Sequence, residues 1–339
     1  MIELKDDALE FSFPEVHPKA RLRVEFQRTL RIPDDEKTHA LPPGLGRFPL
    51  RHVDDAGARV PPAWLRRGGV MLPMYQSEAM WLNFTARSDY PFALKVAAGK
   101  VNAATGEDWE DGLHRGPQDY LLVPGQPWLD GYAVEKGVIR QFVAMPLGEG
   151  YTAEEQIHGT AEFGGVQLLA CPMKREVYER KVARARPSAS LDLASVRICE
   201  APAEVARPDM GLAPGGRMRQ EIYEDEFELE DWDQRHRSRC FVHLTNSLVW
   251  RAITGQAPPT TPPTAKEYTD AGLPWFDYYA ADRTALEGSE KLAELESVLE
   301  KAAREGRMGL PENEAVEGER VVPIRERGRE RAGVSEGRW

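Results

Sequence analysis

Cysteine is scarce in this chain. The three among 339 residues, Cys171, Cys199 and Cys240, stand far apart, and no two form a CxxC pair. Such a set supplies neither a disulfide framework nor a cysteine-based zinc site. Its simplest role is as small buried hydrophobes in a reducing compartment. Long apolar runs are missing too, so no segment reaches the length of a bilayer span. The opening stretch MIELKDDALEF carries acids where a secretory leader carries an apolar core. A cytoplasmic protein is the expectation, and without secretion the glycosylation sequon at Asn83-Phe84-Thr85 carries no weight. Excess positive charge is a further absence: the formal net charge is −11. An acidic balance repels phosphate backbones and anionic lipid surfaces, so neither nucleic acid nor membrane is an expected partner.

Catalytic signatures are also wanting. There is no GxSxG and no HExxH. The seven histidines, among them His52, His114 and His158, are scattered along the chain. No catalytic residue, metal site or cofactor is expected, and the balance on enzymatic activity leans to no.

What the chain does have is strand signal. In ARLRVEFQRTLRI, Leu22, Val24 and Phe26 alternate with Arg21, Arg23, Glu25 and Gln27, the pattern of a strand with one wet face. Short apolar segments divided by Gly and Pro turns continue to about Lys174, then return from Leu191 to about Thr245. Between them KREVYERKVARARP reads as a short basic helix stopped by Pro187. SLVWRAITG reads as a helix capped by Ser247 and ended by Gly255. QAPPTTPPT is an extended linker, and Thr264 to Glu267 forms a capping box for the next helix. SEKLAELESVLEKAAREG carries a stripe of Leu292, Leu295, Val298, Leu299 and Ala302, the clearest helical pattern present. The expected fold is mainly β, with β-sandwich or jelly-roll-like sheets and a helical C-terminal section, α+β overall. The expected organisation is a β-rich domain over 1–175 and a second β-rich segment over 176–256 packed on the first. A linker with helices over 257–305 and a disordered charged tail over 306–339 complete it.

In PWLDGYAVEKGVIRQFVAM, Gly137 supplies the positive φ of a hairpin turn. Trp128 follows a proline at a sheet corner, where an indole packs over the end of a core. Asp130 most simply bonds its own turn backbone. The alternative use of this stretch is ligand binding: Trp128 stacking on a sugar or base, Asp130 accepting a hydroxyl, Glu135 and Arg140 beside them. MGLAPGGRMRQ invites a phosphate-loop reading at Gly211–Arg217, with Gly215, Gly216 and Arg217 as the anion-binding residues. It lacks the lysine, the hydroxyl and the following helix that such a loop needs. EIYEDEFELEDWD concentrates carboxylates without calcium-loop spacing, and the basic run RHRSR follows at once, which reads as a self-neutralising solvated loop. Cys240 and His243 suggest a nucleophile and base, but three residues apart on a strand they face opposite ways.

The segments PWLDG, RQFVAMPLGEGY, MGLAPGGRMRQEIYED and TAKEYTDAGLPWFDYY resemble those of a family of bacterial and fungal proteins that brings no activity, cofactor or catalytic residue with it. The resemblance implies only that the two β-rich halves belong together. The expected function is that of a soluble, non-catalytic binding or scaffold protein, with an unknown protein partner or self-association through sheet edges or the C-terminal helix. The alternatives are a carbohydrate-binding or carbohydrate-active protein using Trp128 and Asp130, and nucleotide binding at Gly211–Arg217.

Overall fold

Alternation in the sequence becomes alternation in space. The computed structural model describes residues 1–35, 37–182, 209–278, 283–307, 316 and 320–323. Cys199, the strand expected over 191–199 and most of the 306–339 tail lie outside the described residues. The first strands are β1 (Ile2–Lys5), β2 (Ala8–Ser12) and β3 (Arg21–Thr29). In β3, Leu22, Val24 and Phe26 are buried in the main core while Arg23, Glu25 and Gln27 form the outer face. Short strands β4 (Thr38–His39), β5 (Gly44–Arg47) and β6 (Arg51–His52) follow. Helix α1 (Pro62–Arg67) then precedes β7 (Val70–Met74).

The central strands are longer and buried on both faces. They are β8 (Ala79–Ala86), β9 (Phe92–Ala98), β14 (Val138–Pro146), β15 (Val166–Pro172), β16 (Asp209–Arg219) and β17 (Ser238–Asn246). Between β9 and β14 come β10 (Val101–Asn102), β11 (Leu121–Val123), β12 (Trp128–Leu129) and β13 (Gly131–Glu135). Consecutive antiparallel pairings run β1–β2–β3–β8–β14–β16–β17–β15–β9–β11. From β11 the chain turns into β12, which pairs back onto β8. The paired strands and the β11–β12 connection surround one core that includes Phe26, Leu82, Leu94, Phe142, Leu168, Leu212 and Val242. Two parallel contacts, β7 with β17 and β4 with β16, complete the large sheet. The protein is mainly β, as expected, with a smaller helical share. The β13–β14 hairpin turns at Gly137, whose φ is 73°.

Helices fill the margins: α2 (Ala153–His158), α3 (Arg175–Val182), α4 (Ser247–Thr254) and α5 (Ala265–Asp270). The linker after α4 is held to the body, since the Tyr75 hydroxyl donates to the Pro259 carbonyl at 3.0 Å. Thr264 and Glu267 cap α5 as the sequence predicts, whereas α4 is capped by Asn246, one residue before the expected Ser247. β18 (Trp275–Asp277) and β19 (Val321–Pro323) pair in a separate small sheet.

One expectation changes. The single helix over the 289–306 stretch is two helices, α6 (Glu290–Ala293) and α7 (Val298–Arg304). The break has a local cause. Ser297 and Glu300 form a capping box that opens α7. Gln156 Oε1 accepts the Glu296 N–H at 2.8 Å, and Asp34 Oδ2 accepts the Leu299 N–H at 2.8 Å. These body side chains bond the backbone on both sides of the break.

Candidate functional site

The stretch singled out in the sequence is assembled at the outer face of the sheet. Trp128 is 6% exposed and packs edge-on against Tyr278, with ring centroids 4.9 Å apart. Asp130 is 4% exposed. Its carboxyl is bonded by the Trp128 side chain and by Gln220, whose Nε2 donates at 2.8 Å. The Asp130 N–H donates to Gln220 Oε1 at 2.9 Å. The partner is thus an amide from just beyond β16, where the sequence suggested the turn's own backbone. Burial pushes the carboxyl up to about 7, against the opposing hydrogen bonds. Trp128 and Asp130 share a niche with Trp81, Leu41, Pro42, Gly44 and Phe276.

Glu135 and Arg140 do not join that niche. Glu135 accepts from Arg217 at 2.6 Å, and Arg140 donates to Glu300 on α7 at 3.1 Å. The Gly211–Arg217 segment is not a loop: it lies within β16, paired with β14. Its glycines allow close packing. A Cβ on Gly216 would collide with the Pro33 carbonyl oxygen, and one on Gly215 would stand 2.5 Å from Val143 Cγ2. Arg217 is engaged with Glu135, so these three residues form no anion cradle. Cys240 and His243 lie on opposite faces of β17. Cys240 is in the main core, and His243 is stacked between Trp64 and Phe241. Desolvation lowers His243 to about 4, so it is neutral at physiological pH.

The acidic stretch is partly drawn into the body. Asp225, its buried member, accepts from the Tyr120 hydroxyl at 2.5 Å and from the Trp232 indole at 2.9 Å. Among the described residues, no three His, Cys, Asp or Glu side chains converge to hold a metal ion. Nor is any described helix long and apolar enough to cross a membrane. A depression of about 450 Å³ beside Asp225 is lined by Arg115, Gln118 and Thr105, among others. Two of its polar side chains are already bonded: Gln118 donates to the Tyr120 and Tyr223 carbonyls, and Arg115 to those of Asp225 and Phe227.

A different region emerges from side chains the sequence left separate. The basic run meets the acids before it only in part: His236 pairs with Asp233 at 2.9 Å, and Asp233 also accepts the Arg235 and His236 backbone N–H groups. Arg235, Arg237 and Arg239 border an open depression of about 520 Å³, together with Asp111, Gln234 and Leu169. Register explains the floor: Leu169 lies opposite both Arg239 on β17 and Lys95 on β9, so one sheet face carries Arg239, Leu169 and Lys95 in a row. Asp111 pairs with Arg239 at 2.7 Å. Partial burial pulls the Asp111 carboxyl up, but the Trp109 hydrogen bond and the Arg239 and Arg237 charges hold it below its ordinary value. It stays ionised and neutralises one of three guanidiniums. Arg237 donates to the Gln234 carbonyl. Among the described residues, neither Arg237 nor Arg235 has a carboxylate partner within ion-pair distance.

Behind this wall is a buried ion pair. Lys95 is 1% exposed, and its Nζ lies 2.5 Å from Asp119 Oδ2 and 3.0 Å from the Glu110 carbonyl. Asp119 also holds His114: Oδ2 accepts from Nδ1 and Oδ1 from the backbone N–H, both at 2.9 Å. The 105–119 segment is thereby locked over the sheet face, with the half-exposed His114 ring held in a fixed orientation. No spacing rule in the sequence joins Lys95, His114 and Asp119; an isolated lysine inside the otherwise apolar run FALKVAA was the only signal. Comparison with family models, with curated proteins and with solved structures finds no match in any of the three.

Proposed function

We propose that the protein is a non-catalytic binding protein whose ligand is a small anion bearing phosphate or carboxylate groups, held at the Arg235–Arg237–Arg239 depression. One observation carries this reading: on a chain of net charge −11, guanidiniums converge beside an open depression, and two of them have no carboxylate partner among the described residues. Arginine's planar fork matches the oxygens of a carboxylate or phosphate, which makes it the side chain suited to such a site. Leu169 gives an apolar floor, and Asp111 fixes Arg239. The depression suits a small ligand better than a polymer, because the chain's net charge of −11 opposes a long phosphate backbone.

Binding, rather than covalent chemistry, is supported by the neighbouring thiol. Cys171 feels the charges of Arg237 and Lys95, but burial pushes it up to about 12. It is therefore a thiol and not a nucleophilic thiolate at neutral pH. The test is thermal unfolding in phosphate, pyrophosphate and citrate, against chloride at matched ionic strength. A ligand that binds only the folded state raises the midpoint saturably. The double variant R235A/R237A should lose that rise. A rise that survives in the variant, or that follows ionic strength alone, contradicts the proposal. Binding of oligonucleotides in preference to the small anions would contradict it as well.

A further inference from the structure

The niche at Trp128 holds an unmet donor. Trp81 is 7% exposed, and its indole Nε1–H is buried without a hydrogen-bond partner among the described residues. Leaving such a donor unpaired costs on the order of 1–3 kcal/mol, so buried donors ordinarily have partners. Trp81 lines the same small niche as Trp128 and Asp130, and the register explains why. Asn83 lies opposite Trp128 and Leu82 opposite Leu129, which brings Trp81 level with Asp130 on the same outer face. The niche is open to the surface and has a volume of about 20 Å³, room for one water-sized group.

We propose that this niche seats a single hydroxyl of a neutral polyol or sugar, accepting from the Trp81 indole N–H and bonding the Asp130 carboxyl. The chemistry of the two protein groups selects this class. A hydroxyl both accepts and donates, so it satisfies Trp81 and Asp130 together. An ammonium group would satisfy Asp130 and leave the Trp81 donor unmet. A carboxylate or phosphate would satisfy Trp81 and meet the Asp130 carboxyl with like charge. Because burial brings Asp130 to about 7, its carboxyl is present in both protonation states near neutrality, and a hydroxyl partners either one. Apolar walls from Trp128, Phe276, Leu41 and Pro42 suit the C–H faces that flank a sugar hydroxyl. The site is separate from the arginine depression and uses none of its residues.

The experiment follows the indole N–H signals of the eight tryptophans by NMR of the full chain, labelled at the indole nitrogen. Trp81 and Trp128 are assigned by substitution. The probes are myo-inositol, methyl β-D-glucopyranoside and methyl β-D-galactopyranoside, each taken to its solubility limit. The expected result is a saturable shift of the Trp81 and Trp128 signals with at least one probe. In W81F, which keeps a ring and removes the donor, the Trp128 response should weaken about tenfold in affinity. G44A provides a second variant at the lip: its Cβ would stand 3.4 Å from Trp81 Cζ2, an ordinary contact that narrows the niche without touching Asp130. Binding should be lost in G44A while the unfolding midpoint is kept. No saturable shift with any probe, or binding undiminished in W81F, overturns the proposal. Neither result bears on anion binding, which is read at Arg235 and Arg237.

Discussion

Replacing Asp130 with asparagine should stabilise the protein, and the gain should grow as pH rises. The carboxyl is buried at the base of the niche, and burial raises it from 3.8 to about 7. The folded state therefore holds this proton more tightly than the unfolded state. The contribution of the neutral acid is complete below about pH 4, falls as pH rises, and is gone above about pH 7. At ~1.36 kcal/mol per pH unit, the loss amounts to roughly 4 kcal/mol. The amide introduced by D130N has no proton to lose, and its single oxygen can still accept from Gln220. Wild type and D130N should thus have similar stability near pH 4 and diverge by roughly 4 kcal/mol at about pH 8. In a chain of this length that is on the order of 6 °C in the unfolding midpoint. Thermal unfolding of both proteins across this range is the assay. Parallel curves, with a constant gap at every pH, would refute the reasoning, because they would mean that Asp130 exchanges no proton on unfolding.

Other substitutions probe the frame around the two sites. Lys95→Met leaves the buried Asp119 carboxylate without its nearest cation, and urea unfolding should show a loss of about 3–5 kcal/mol. Gly216→Ala forces a Cβ into the Pro33 carbonyl oxygen; the strands must separate, and the expected cost of at least about 1–3 kcal/mol is read from the midpoint or from soluble yield. Ser297→Ala removes the cap of α7 and should lower stability by about 1 kcal/mol in the same urea assay. Little change in that variant would mean that Gln156 and Asp34 alone define the helix break.

Local pattern made the strands legible. The Leu22, Val24 and Phe26 alternation reports which side of β3 meets the core, and it does so without tertiary knowledge. The positive φ of Gly137 follows from turn geometry in the same way. The break between α6 and α7 was less legible, because the apolar stripe continues through it. The signal against a continuous helix was Ser297 with Glu300, a capping box inside the stripe. Trp128 and Asp130 were recognisable as a pair because they are two residues apart. Trp81 was not, since only the β8–β12 register brings it level with Asp130. The arginine depression was hidden for a related reason. RHRSR looked self-neutralised by the acids beside it in sequence, and His236 does pair with Asp233, but Asp225 is buried against Tyr120 and Trp232. The carboxylate that meets Arg239 is Asp111, from a distant segment. Charge neighbours along the chain account for His236, but strand pairing decides which carboxylate Arg239 meets.

Calorimetric titration of the wild-type chain with pyrophosphate, at low and at moderate ionic strength, shows whether the arginine depression holds an anion. A single saturable site is expected, weakened by added salt, and lost in R235A/R237A while the variant's stability stays within about 0.5 kcal/mol of wild type. Absence of binding by the wild type at low salt, or equal binding by wild type and the double variant, would contradict it.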